Sequence, residues 1–137
     1  MNLSAAMQER VKGLLPDLLG IEFIDVTPDK VVARLTVRKD LCTIGDNLHG
    51  GAIMAYADTL GAVAAILNMP QGASTTTIES KTNFIGGAPL GSRVMAESVP
   101  VHKGRTTVVC QTTLRSEAGK LVALVTQTQL VIAAKGV

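Results

Sequence analysis

From Asn47 to Pro70 the chain reads NLHGGAIMAYADTLGAVAAILNMP, a run of small and apolar residues interrupted by one carboxylate, Asp58. The run predicts a helix without a polar face, and such a helix has to be covered from several sides. The cover is expected from strands at residues 74–85, 92–102, 105–115 and 121–132. Gly86-Gly87, Gly91, a tight turn at Lys103-Gly104 and SEAG at 116–119 separate them. Short links between successive strands predict antiparallel neighbours. The expected architecture is therefore α+β, one long central helix wrapped by a curved, mostly antiparallel sheet. Asp58 is the anomaly in this picture. An ionised carboxylate taken from water without a partner is costly, so either something not visible in the sequence satisfies it or it faces a cavity.

Ahead of the apolar run, Leu3, Met7, Val11, Leu14, Leu15 and Leu18 recur at helical spacing with Gln8, Glu9 and Lys12 between them. They predict an amphipathic N-terminal helix over 3–19, kinked or broken at Pro16. Residues 21–27 and 30–37 are β-rich and joined by Pro28-Asp29, which reads as a hairpin. The 137 residues are read as one domain over 1–137, large enough for a real core.

Aromatics make up only 2% of the chain (Phe23, Tyr56, Phe84), so Val, Leu, Ile, Ala and Met must build that core. The same scarcity argues against single-stranded nucleic acid, whose sites usually need stacking platforms. A net charge of +2 implies neither a nucleic-acid nor a membrane surface. Cys42 and Cys110 are too few for a disulfide framework and are expected as free thiols. Gln8, Glu9, Arg10 and Lys12 occupy the place where a secretory signal would need an apolar stretch, so the expected location is cytoplasmic. Residues 50–69 are long enough to raise the question of a membrane span, but Asp58 and the missing basic flanks favour a buried helix.

His49-Gly50-Gly51 opens the predicted helix. Helix-start N–H groups have no intrahelical acceptor, two glycines let a ligand approach the backbone, and the macrodipole favours negative charge there. The stretch suits an anion or an oxygen becoming one; it equally suits plain tight packing under a His49 cap. Asp58 follows His49 by nine residues, about 13 Å along a helix axis. One ester or thioester group cannot touch both ends of that span. If both act on one substrate, a second copy must lie antiparallel, which a two-fold dimer provides. His102, Lys103 and Arg105 gather at a tight turn that suits phosphates, though a solvated hairpin looks the same in sequence.

The segment LHGGAIMAYADT resembles the HGG-and-acid signature of hotdog-fold acyl-CoA thioesterases of the phenylacetate-pathway (PaaI-like) type, and the likeness extends over roughly residues 35–132. It implies hydrolysis of an acyl- or aryl-coenzyme A thioester, no metal, no other cofactor, and dimers sharing their sites that assemble to homotetramers. By this resemblance Asp58 is the general base or nucleophile. The Gly50 N–H is the donor to the thioester oxygen, and His49 supports its turn. Thr77 supplies a hydroxyl beside the attacking water. Gly51, Phe84 and the stretch His102, Lys103, Gly104, Arg105, Thr106, Thr107 would contact coenzyme A. The chain departs from the family six residues before the His, where Thr43 replaces an amide side chain; Asn47 is the nearest amide and is assigned that role. Two rival readings are an acyl-CoA-binding sensor and a hotdog dehydratase. The sensor has no use for a carboxylate at 58, and the dehydratase needs a second suitably placed His.

Overall fold

The structure, a computed structural model, describes residues 2–135. Helix α1 spans Leu3–Arg10, and the Asn2 side chain caps it by accepting from the Ala5 N–H at 2.8 Å. A single broken helix over 3–19 was expected, and here the structure differs. The chain turns at Val11–Leu14 through Gly13, whose φ of 77° is left-handed, and a second helix α2 runs over Leu15–Leu19. Pro16 therefore starts a helix instead of breaking one, because a first-turn proline forfeits no hydrogen bond. As a result Met7, Val11 and Leu19 are buried while Leu14, Leu15 and Leu18 face outward. Gln8 ties α1 to the sheet, donating to the Ile21 carbonyl and accepting from the Phe23 N–H, each at 2.9 Å.

Strands β1 (Glu22–Thr27) and β2 (Lys30–Thr36) form the expected hairpin. Helix α3 spans Gly50–Ile66, starting three residues later than the apolar run because Asn47 and Leu48 pair as bridges with Pro89 and Cys42. Its far end is held by Asn68, whose amide donates to the Ala64 and Pro28 carbonyls. Strands β3 (Ser74–Phe84), β4 (Arg93–Lys103), β5 (Thr107–Ser116) and β6 (Leu121–Ile132) follow within a residue or two of their predicted limits.

All six strands form one antiparallel sheet in the order β1-β2-β4-β5-β6-β3. The short-link expectation holds for β4, β5 and β6 and fails for β3. Residues 85–92 carry the chain across two strands, leaving β3 at an edge beside β6. The core lies between α3 and the sheet's inner face, where Ile53, Tyr56, Ala57, Leu60 and Ala64 meet Val31, Leu35, Val94, Val108 and Leu114. Tyr56 is fully buried, its hydroxyl donates to the Val94 carbonyl at 3.0 Å, and burial pushes the phenol far above its ordinary range.

A single chain does not surround α3. Gly51 and Met54 are exposed and Ala55, Asp58, Thr59 and Ala62 half-buried, so one stripe of the helix stays open. The expected all-round cover is not supplied by one copy of the sheet. Neither cysteine is in a disulfide, and burial pushes the Cys110 thiol up to about 11. Among the described residues no helix is long and apolar enough to cross a membrane.

Candidate active site

Asp58 lies midway along α3 on the border between its open stripe and β3. Its Oδ1 accepts from the Thr77 hydroxyl at 2.6 Å and from Gln127 Nε2 at 3.2 Å. The same Gln127 nitrogen lies 3.3 Å from the Asp58 backbone carbonyl. Behind this pair, Gln129 Nε2 donates to Thr77 Oγ1 at 2.6 Å, and the Thr75 hydroxyl faces Gln129 Oε1 at 3.0 Å and the Leu130 carbonyl at 2.9 Å. The register explains the grouping: Thr77 pairs with Gln129, and a bulge between Thr77 and Glu79 keeps Thr75, Thr77 and Ser80 on the side facing α3. The lone carboxylate of the apolar helix is thus satisfied from strands β3 and β6. No near neighbour in sequence does so.

Gly61 makes this contact possible. A Cβ there would coincide with the Gln127 carboxamide. Intrinsic propensity favours Ala over Gly in a helix by about 1 kcal/mol, whereas overpacking a filled core costs about 1–3 kcal/mol. Since the clash involves a fully buried glutamine, Gly61→Ala is expected to lower the denaturant midpoint. A midpoint at or above wild type would show that Gln127 moves aside freely.

At the start of α3, His49 is the N-cap: its Nδ1 accepts from the Gly51 N–H at 2.7 Å, and its own N–H donates to the Leu41 carbonyl. The Gly50 N–H has no intrahelical acceptor and no partner among the described residues. Phe84 lies against Gly50, its ring carbon 3.1 Å from where a Cβ would stand. His49, Gly50, Gly51 and Phe84 thus share one corner, which makes Gly50 a packing residue and a free donor at once. Asn47 stands just before them, its amide donating to the Gly45 carbonyl at 3.2 Å and its oxygen lying against Gly87. Thr43 is exposed, its N–H bonded to the Asn47 carbonyl.

His102 through Thr107 lie at the opposite end of α3. Gly104 is required there, because a Cβ would press on the His102 ring and the Thr107 carbonyl. Arg105 and Thr106 line a hollow with Pro70, Ala73 and Val131. Lys103 reaches Asp29 at 3.3 Å in an exposed pair, whereas Arg105 has no acidic partner within 4.0 Å among the described residues. The site residues expected from sequence therefore fall into three groups along one helix, at its start, its middle and beyond its end. A single chain brings Asp58 to Thr77 and Gly50 to Phe84 but leaves the groups apart.

A family model described as the thioesterase superfamily matches residues 45–123, from the loop before the helix cap to the start of β6. The chain belongs to the thioesterase superfamily. This thioesterase has the hotdog fold. It is similar over 98% of its length to 94% of a thioesterase from Haemophilus influenzae, with 25% identity and a TM-score of 0.92. It matches 98% of the Escherichia coli PaaI protein of the phenylacetic acid degradation operon over 97% of its own chain, at 23% identity and a TM-score of 0.85. A Streptococcus mutans protein solved bound to acetyl-CoA matches at 24% identity and a TM-score of 0.77, covering 83% of this chain and 90% of that one. The resemblance to PaaI-like hotdog thioesterases read from the HGG-and-acid segment is borne out.

Sequence reasoning missed Gln127 and Gln129 of this thioesterase. A signal was present. Val125, Gln127 and Gln129 alternate onto the buried face of β6, and two amides continuing an apolar alternation mark a polar demand inside.

Proposed function

We propose that this thioesterase hydrolyses the thioester of an acyl- or aryl-coenzyme A at sites shared between two antiparallel copies of the chain. The supporting observation is the position of Asp58: a hydrogen-bonded carboxylate beside the open stripe of α3, about 12 Å along the helix from the free Gly50 N–H. A second α3 laid antiparallel on that stripe would set its own Gly50 opposite Asp58. Asp58 would take a proton from water while the hydroxide attacks the carbonyl carbon. Alternatively the carboxylate itself attacks, forming an anhydride that water then opens. In both routes the carbonyl oxygen becomes an anion facing the N-terminus of the second helix, where one donor is typically worth about 3 kcal/mol. The C–S bond then breaks, and the coenzyme A thiolate leaves and takes up a proton.

The edge strand β3, eleven residues long with Ile78 exposed, gives a two-fold partner backbone to pair with. The reading extends to a homotetramer of such dimers acting in the cytoplasm. The Streptococcus mutans complex supports a coenzyme A thioester as ligand. The test is release of free thiol from a panel of acyl- and aryl-CoAs beside a direct binding assay. Binding without release would assign the chain a sensing role instead.

The turn at His102–Thr107 is where the nucleotide phosphates would be held. Replacing both Lys103 and Arg105 with Ala is expected to raise KM several-fold and flatten its salt dependence, with kcat nearly unchanged, since remote phosphate contacts bind ground and transition states alike. Arg105 should carry most of the effect, because Lys103 already faces Asp29. An unmoved KM would place the nucleotide elsewhere.

A further inference from the structure

Both hydrogen bonds to the Asp58 side chain end on the same oxygen, Oδ1. Oδ2 receives none from the described residues, so its lone pairs are the ones open to water or a carbonyl carbon. We propose that Gln127 and Gln129 are positioning residues of the hydrolysis, which together decide that Oδ2 is the reacting oxygen and that the Thr77 proton points at Asp58. This rests on the hydrolytic reading above and adds residues to it.

Gln127 holds Asp58 at two points, through the side chain and through the backbone carbonyl. That grip stops the carboxylate from rotating about its last bond. The glutamine is completely buried, and its Oε1 has no partner among the described residues. An orphaned amide oxygen costs stability, and an apolar side chain of the same length would fill the space better. Packing alone does not explain a glutamine here.

Gln129 acts one step back. Thr77 has a single proton and lies 2.6 Å from both Asp58 Oδ1 and Gln129 Nε2. An amide N–H pointing into Oγ1 obliges the hydroxyl to turn its proton to the carboxylate. A rotated amide would present Oε1 and compete for that proton. One contact selects the observed orientation: an ionised carboxylate is a stronger acceptor than an amide oxygen, so it takes the Thr77 proton and only an N–H fits Oγ1 on its other side. The single Thr75 proton lies between Gln129 Oε1 and the Leu130 carbonyl. Thr77 is thereby committed to Asp58 and has no proton left for the attacking water, unlike the role the resemblance implies for it.

The test uses the full-length protein and the acyl-CoA that wild type turns over fastest in a panel. Gln127→Met and Gln129→Met keep length and remove the donors. Each is expected to lower kcat at least about fivefold with KM changed less than about threefold. Because Gln129 acts through a hydroxyl, Gln129→Met added to Thr77→Val should cause no further loss. Should Gln129→Met not fold, as read by circular dichroism and melting, Gln129→Leu decides. Leucine cannot donate to Thr77, and the same fall in kcat is expected. A residue whose variant loses less than fivefold, or loses only through KM, has no positioning role. Losses from Gln129→Met and Thr77→Val that multiply in full would also overturn the relay. Wild type releasing no thiol from any substrate would instead overturn the hydrolysis itself.

Discussion

Asp58→Asn is expected to lower turnover by at least about 100-fold while leaving the fold and the affinity for coenzyme A intact. The structure makes this substitution clean. An asparagine carbonyl oxygen can still accept from Thr77 and from Gln127, so the two bonds at Oδ1 survive. What disappears is the charge and the basicity of Oδ2. Rates would be followed by thiol release, coenzyme A binding by calorimetry and the fold by melting. Activity within a few-fold of wild type would remove Asp58 from the chemistry, whichever of the two routes is used.

Mixing two dead variants is expected to restore activity. Asp58→Asn cripples the middle of α3, and Gly50→Pro cripples its start by removing one N–H. Gly50 is the first helical residue, where proline is well tolerated, and His49 has ψ of 138°, compatible with a following proline. The added ring would press on Phe84, which is more than half exposed and free to shift. Each homodimer should be nearly inactive. After the two are unfolded and refolded together, about half the dimers are mixed, and each mixed dimer has one site with both parts intact. Recovery should approach roughly a quarter of wild type, assuming random pairing in a two-fold dimer. A tetramer of such dimers gives the same figure if its sites act independently. Circular dichroism and size must first match wild type, and His49→Ala replaces Gly50→Pro if they do not. Well-folded mixtures that stay dead would place each site within one chain.

Element positions were legible in the sequence because they are set locally. Alternation of two marks β4 and β6, turn residues mark their ends, and the length and apolarity of the 47–70 run mark α3. Pro16 misled, since a proline reads alike as the end of one helix and the first turn of the next; Gly13 just before it decides between them. The HGG-and-acid pair was likewise legible, because spacing along one helix converts directly into distance.

Strand order was not legible in this way. Nothing in residues 85–92 states that the chain will cross two strands before pairing again, because that choice is made by which faces bury the most apolar surface together. The partners of Asp58 belong to the same class. Thr77, Gln127 and Gln129 lie 19 to 71 residues away from it, and only the β3–β6 register and the missing Cβ of Gly61 bring them to its carboxylate. By itself the sequence determined that a charge would have to be satisfied inside an apolar helix. Which groups satisfy it, and which of its two oxygens they leave free, was decided by tertiary structure, since hydrogen-bond geometry depends on non-local packing that no local pattern encodes.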